Sequence, residues 1–205
     1  MFKGGTSLSK VWKVIHRFSE DIDLAIDPSI WGFEGDLTKK QIKRLRKASS
    51  IFVRDEFCHS LQEAVSETGM EKWLQVEADP GGEGDGTYPE PRMIYICYKS
   101  LFDEDLPYLH SEVKLEVSAR SLLEPTAEAA VTSILEDALP ISTTVKQVMI
   151  PTALAEKTFL EKAFLLHELF SSQSLREANR KSRHLYDLAR MMSTDIATRA
   201  IANDE

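Results

Sequence analysis

An α+β fold is what this sequence predicts, on two observations. Apolar and polar residues alternate in several short runs, and apolar residues recur at helical spacing in one long central stretch and again near the end of the chain. The arrangement implied is a twisted mixed β-sheet with helices, followed by a C-terminal helical part, with the boundary expected between 1–150 and 151–205. With 205 residues and 42% hydrophobic content, the chain can bury a core of its own.

The elements follow in order. A helix is expected through Leu8, Val11, Trp12 and Ile15, capped by Thr6 or Ser7. Ile22, Leu24 and Ile26 then alternate with Asp21 and Asp23 until Asp27-Pro28 breaks the pattern, which reads as a strand. A long helix is predicted from about Thr38 through Ala64, burying Ile42, Leu45, Ile51, Phe52 and Leu61. Strands are expected at Trp73 to Ala78, Met93 to Tyr98 and Val113 to Val117, with the glycine-rich stretch from Asp79 to Gly86 as a turn between the first two. That stretch lacks the lysine and following helix of a phosphate loop, and its own acids would repel a triphosphate. A polar connection through Glu124-Pro125 leads to a last strand around Val145 to Ile150, ended by Pro151. Two helices close the chain, one with its core stripe at Leu154, Phe159, Phe164, Leu165 and Leu169, the other at Leu185, Leu188, Met191 and Met192.

Two features carry chemistry. Asp21 and Asp23 share one face of their strand, because side chains alternate. Side by side the carboxylates repel each other, and a divalent cation between them removes that penalty. Mg²⁺, or Mn²⁺, is the natural candidate. Upstream, Gly4 and Gly5 let the backbone approach a ligand closely, and the first N–H groups of the helix that follows would face whatever lies over the turn. A triphosphate suits that position. Around it, Thr6 and Ser7 belong to the turn, Lys10 points at phosphate or at water, Arg17 binds phosphate or only anchors the turn through Asp21, and Ser19 binds phosphate or caps the start of the strand. Either half alone is weak; together they point to nucleotide chemistry.

The combination resembles the nucleotidyltransferases of the DNA polymerase beta superfamily. More closely, Phe2-Lys3-Gly4-Gly5-Thr6-Ser7-Leu8-Ser9-Lys10 with Arg17-Phe18-Ser19-Glu20-Asp21-Ile22-Asp23-Leu24 looks like the AbiEii-type toxin nucleotidyltransferases. The alternating run Val113 to Ser121 is similar to a family strand ending in a Glu and a small-residue-Arg turn, which makes Glu116 the third carboxylate. The segments Thr158 to Glu168 and Ser182 to Leu188 look like the family's C-terminal helices, one carrying a Lys and the other Tyr-Asp-Leu. The resemblance implies a catalytic core over 1–150, completed by helices over 151–205. It further implies metal-dependent transfer of a nucleotide from an NTP to an acceptor, RNA at the 3′ end of tRNA, by the toxin of a toxin–antitoxin or abortive-infection system with a cognate antitoxin. Asp21, Asp23 and Glu116 would hold the metal, Lys162 would contact the phosphates, and Asp187 would orient Lys162 or the nucleotide. Family members usually carry a helical segment before the glycine turn, whereas Met1, Phe2 and Lys3 alone precede it here. The implied covering strand and helix are therefore missing, or the chain is a fragment or starts too far downstream. Two other classes stay open: a phosphotransferase on the same cradle, and an inactive nucleotide-binding module. The presence of all three carboxylates counts against the module.

The net charge of −8 excludes a chain that coats nucleic acid through its overall field. Contact with RNA would be local, at Lys39, Lys40, Lys43, Arg44, Arg46 and Lys47 or at Arg176, Arg180, Lys181 and Arg183. For the first patch a solvated helix face competes with a nucleic-acid surface. Cys58 and Cys97 form no metal-binding or disulfide pattern, and His16, His59, His110, His167 and His184 show no zinc-type spacing. No run is long and apolar enough to span a bilayer, and no secretory signal opens the chain, so the cytoplasm is the expected location.

Overall fold

The computed structural model describes residues 1–19, 21–81, 88–100, 111–120, 123, 125–133, 138, 148–171 and 181–202. Gly82 to Gly86 of the glycine-rich stretch, His110, Glu124, Val145 to Gln147, Arg176 and Arg180 lie outside the described residues. The chain forms two units, Glu20–Leu123 and the combination of Met1–Ser19 with Glu124–Glu205, a division drawn differently from the one expected at residue 150.

The unit from Glu20 to Leu123 is built on four strands: β2 (Asp21–Ala25), β3 (Leu74–Ala78), β4 (Arg92–Tyr98) and β5 (Glu112–Ser118), in the order β3-β4-β5-β2. β2 runs parallel to β5, whereas β4 is antiparallel to both β3 and β5, so the sheet is mixed as expected. Between β2 and β3 lie α2 (Lys39–Phe52) and α3 (Cys58–Glu67), joined by a π-helical turn over Val53–Phe57. Thr38 starts α2 with a reciprocal cap: its hydroxyl accepts from the Gln41 N–H while the Gln41 side chain accepts from the Thr38 N–H. The predicted single helix is thus one continuous helical stretch with a wide turn inside it. The extra residue in that turn puts Val53 and Cys58, five positions apart, into the same core, and stacks Phe52 on Phe57 with ring centroids 6.5 Å apart. Val53, Cys58, Val76, Ile94, Leu115 and Val117 form that core, with Ile22 and Leu24 packed against it.

The other unit holds β1 (Phe2–Lys3), α1 (Gly4–Lys10), β6 (Thr126–Val131), β7 (Val148–Ala153), α4 (Ala155–Ser171), α5 (Ser182–Met192) and α6 (Ile196–Ala202). β7 pairs parallel with β1 at Phe2 and Thr152, and antiparallel with β6. Three expectations are corrected here. α1 stops at Lys10 rather than continuing through Ile15: the chain turns at Lys13, with φ 52°, and the Trp12 indole N–H donates to the Ala153 carbonyl at 3.0 Å. The last strand runs through Pro151 instead of ending there. Pro151 stands within the strand, in register with Glu128 of β6. Thr126–Val131, expected as connection, is a strand.

Leu8, Val14, Ile15, Ala155, Phe159, Met191, Ile196 and Ala200 make the second core. α4 buries Lys157, Thr158, Phe159, Lys162 and Leu166, while Phe164, Leu185 and Met192 are exposed rather than buried as the spacing suggested. No helix among the described residues is long and apolar enough to cross a membrane.

Candidate active site

The carboxylates are placed by strand register. Parallel pairing sets Asp21 beside Lys114 and Asp23 beside Glu116, with Ile22 and Leu24 turned to the core on the opposite face. The face therefore carries three half-buried carboxylates and one ammonium from two adjacent strands. The Lys114 Nζ donates to Glu116 Oε1 at 2.7 Å and stands 3.9 Å from Asp21 Oδ1. Burial pulls the Lys114 ammonium toward its neutral form, but the hydrogen bond and charge of Glu116 and the charge of Asp21 outweigh that, and its pKa lies above the ordinary value. Lys114 had no role in the sequence reading. Its position two residues before Glu116 on an alternating strand was the available signal.

The second cluster belongs to the other unit and centres on Asp187 of α5, whose side chain is fully buried. Arg17 grips it with both arms of its guanidinium, Nε to Oδ1 at 2.8 Å and Nη2 to Oδ2 at 2.7 Å. Lys162 of α4 lies 3.0 Å from Oδ2 and also meets His184 Nδ1 at 3.3 Å. The expected pairing of Lys162 with Asp187 is thus present, and Arg17 anchors on Asp187. Burial pushes the Asp187 carboxyl up, yet the Arg17 hydrogen bonds and the Lys162 charge hold it below the usual carboxylate range. Burial, reinforced by the charges of Lys162, Arg183 and Lys181, drives His184 down to about 4, so its ring is neutral near pH 7. A neutral imidazole with Nδ1 free of a proton accepts from the Lys162 ammonium. The role of His184 was missed, although it stands one helical turn before Asp187.

The glycine turn supports this cluster from behind. A Cβ on Gly5 would lie 2.9 Å from Ser19 Oγ and 3.0 Å from Arg17 Nη2, so the absence of a side chain lets both approach. Gly4 adopts φ 75°, which favours glycine. Thr6 and Ser7 do not cap α1 as expected: Lys3 is the cap position, and both hydroxyl residues are buried inside the helix, with the Ser7 hydroxyl donating to the Gly4 carbonyl at 2.9 Å. Lys10 ends α1, where its charge complements the carbonyl end of the helix.

No three His, Cys, Asp or Glu side chains among the described residues gather into a ready-made metal cage. The donor chemistry of Asp21, Asp23 and Glu116 still fits Mg²⁺, which keeps several waters and takes one or two carboxylates together with substrate phosphates.

A family model described as nucleotidyl transferase AbiEii toxin, type IV toxin–antitoxin system, matches residues 1–205, the whole chain. No curated protein and no solved structure gives a significant match. Carboxylates paired across parallel strands, and a lysine held on an aspartate by two C-terminal helices, stand at the positions where the motifs resemble that family. The chain belongs to the AbiEii family of nucleotidyl transferase toxins.

Proposed function

We propose that this nucleotidyl transferase moves a nucleotidyl group from an NTP to RNA, at the 3′ end of tRNA, in a Mg²⁺-dependent reaction restrained in the cell by a cognate antitoxin. The observation that carries the reading is the register of β2 on β5, which lines up Asp21 and Asp23 with Lys114 and Glu116 on one face. Asp21, Asp23 and Glu116 would hold the cation, which supplies charge neutralisation for the triphosphate when bound. Lys162, fixed by Asp187 and His184, would contact phosphate oxygens, and Arg17 would keep Asp187 ionised and in place. In the transfer itself the 3′-hydroxyl oxygen forms a bond to the α-phosphorus, the bond from the α-phosphorus to the bridging oxygen breaks, and pyrophosphate leaves while the hydroxyl proton passes to solvent.

Incubation with each of the four NTPs, labelled on the α- or the γ-phosphate, together with total RNA tests this. α-Label entering RNA with release of pyrophosphate is the expected result. γ-Label entering RNA would replace the reading with phosphoryl transfer, and label on protein alone or nowhere would remove the RNA acceptor.

A further inference from the structure

We infer that the exposed basic face of α2 is a docking surface for the phosphodiester backbone of the RNA acceptor, an inference that rests on the RNA reading above. Lys39, Lys40, Lys43, Arg44 and Lys47 are all exposed on this one helix. At 100° per residue they fall within an arc of about 140°, and Lys40 to Lys47 covers about 10 Å along the axis. Leu45 and Ser49 turn to the opposite side, into the protein, and the basic face ends at Lys47, since Ser50 on the next turn is buried. No acidic residue occurs between Asp36 and Asp55, although acids outnumber bases in the chain by 33 to 25. Lys39, Lys40, Lys43 and Arg44 form no ion pair among the described residues.

Helix physics does not explain such a helix. Lys39 and Lys40 occupy its first two positions, where the helix dipole repels positive charge, and no glutamate stands at i±4 to offset the lysines further along. A solvated face selected for stability would mix signs and place acids in the first turn. The charge instead suits a polyanion laid along the helix.

Hydrogen bonds tie the helix down beneath the face. The Thr38–Gln41 cap fixes its start, the Arg46 guanidinium turns back to donate to the Tyr88 carbonyl at 2.9 Å, and the Ser49 hydroxyl donates to Glu90 Oε2 at 2.6 Å. Tyr88 also places an aromatic ring at the edge of the basic face, 5.7 Å from the Lys47 ammonium, which offers a base a stacking partner beside the phosphate contacts.

The test is fluorescence anisotropy of the full chain with a labelled uridine oligonucleotide and with labelled tRNA, titrated across roughly 50 to 200 mM salt. A variant with Lys39, Lys40, Lys43, Arg44 and Lys47 all changed to Gln is compared with one in which the four lysines become Arg. Glutamine is a good helix former at exposed sites, and circular dichroism confirms folding. If the five-site variant does not fold, Lys43→Gln with Arg44→Gln carries the comparison. The Gln variant should bind at least about tenfold more weakly, and every phosphate that is no longer neutralised should flatten the salt slope by roughly 0.7. The Arg variant should bind like the parent. Unchanged affinity and slope in the Gln variant would overturn the inference, as would α2-dependent capture by phosphatidylserine vesicles with no α2-dependent binding of RNA. The two readings fail separately. Binding through α2 without nucleotide transfer removes the transfer reaction alone, whereas transfer with an unchanged KM for RNA in the Gln variant removes the docking surface alone.

Discussion

Replacing Asp187 with alanine would leave Arg17 and Lys162 facing each other across the space the carboxylate now fills. Asp187 is fully buried, the Lys162 side chain is 9% exposed and the Arg17 side chain 21%. Neither cation can recover full hydration without moving. Breaking a buried pair by removing one partner costs about 3–5 kcal/mol, because an uncompensated charge stays behind, and here two cations share one anion. Lys162→Ala is a milder change: Asp187 keeps both hydrogen bonds from Arg17, so about 1.5–3 kcal/mol is expected for the removal of one charge-assisted hydrogen bond. In the double variant Arg17 loses the carboxylate but no longer faces a second cation, and the total should fall short of the sum of the singles by about 1 kcal/mol or more. Urea unfolding followed by tryptophan fluorescence measures all three, and Trp12 reports from the same unit. Nucleotide transfer should fall by roughly tenfold to a thousandfold in Lys162→Ala, the scale of one preorganised phosphate interaction, with the double variant little slower than either single one. Losses below about 1 kcal/mol that add, with transfer near the parent rate, would show that the two residues are merely neighbours on two helices.

Asp21→Asn and Asp23→Asn should each abolish transfer; without Mg²⁺, Asp23→Asn should leave melting level or raise it, because Glu116 beside it in the strand register loses a like-charge neighbour, whereas Asp21→Asn gives up the Lys114 contact and should melt level or slightly lower; retained transfer with the parent's metal dependence would refute the assignment. His184 makes stability fall with acid over a defined range: its folded pKa of about 4 lies below the ordinary 6.5, so the unfolded chain takes up the extra proton, and destabilisation begins near pH 6.5 and levels off near 4. Asp187, held below its ordinary carboxyl value, adds a further loss below about pH 4, and His184→Gln should remove the first phase of the stability profile while leaving the second. Gly5→Ala should cost about 1–3 kcal/mol and slow transfer, since the new methyl group must displace Ser19 or the Arg17 fork; a melting temperature and rate matching the parent would contradict that packing.

Period-two alternation by itself determined the strands at Asp21–Ala25, Leu74–Ala78, Arg92–Tyr98 and Glu112–Ser118, and with them the shared face of Asp21 and Asp23. A side chain's face on a strand follows from its parity alone, so no distant contact is needed to read it. The start of α2 near Thr38 and the two C-terminal helices were legible because helical spacing is local. Thr126–Val131 was not legible. Its sequence, Thr-Ala-Glu-Ala-Ala-Val, favours helix, and it becomes strand by pairing with β7. Lysine by type belongs on a solvated helix face, yet Lys157 and Lys162 are both buried. For Lys162 the reason is Asp187 on another helix. Arg17 and Asp187 lie 170 positions apart, and their two-armed pairing depends on backbone positions that only packed elements define. Local patterns decided which residues carry charge on which face; tertiary structure decided which charges meet, because a buried ion pair stands only where both partners are already held in register by the fold.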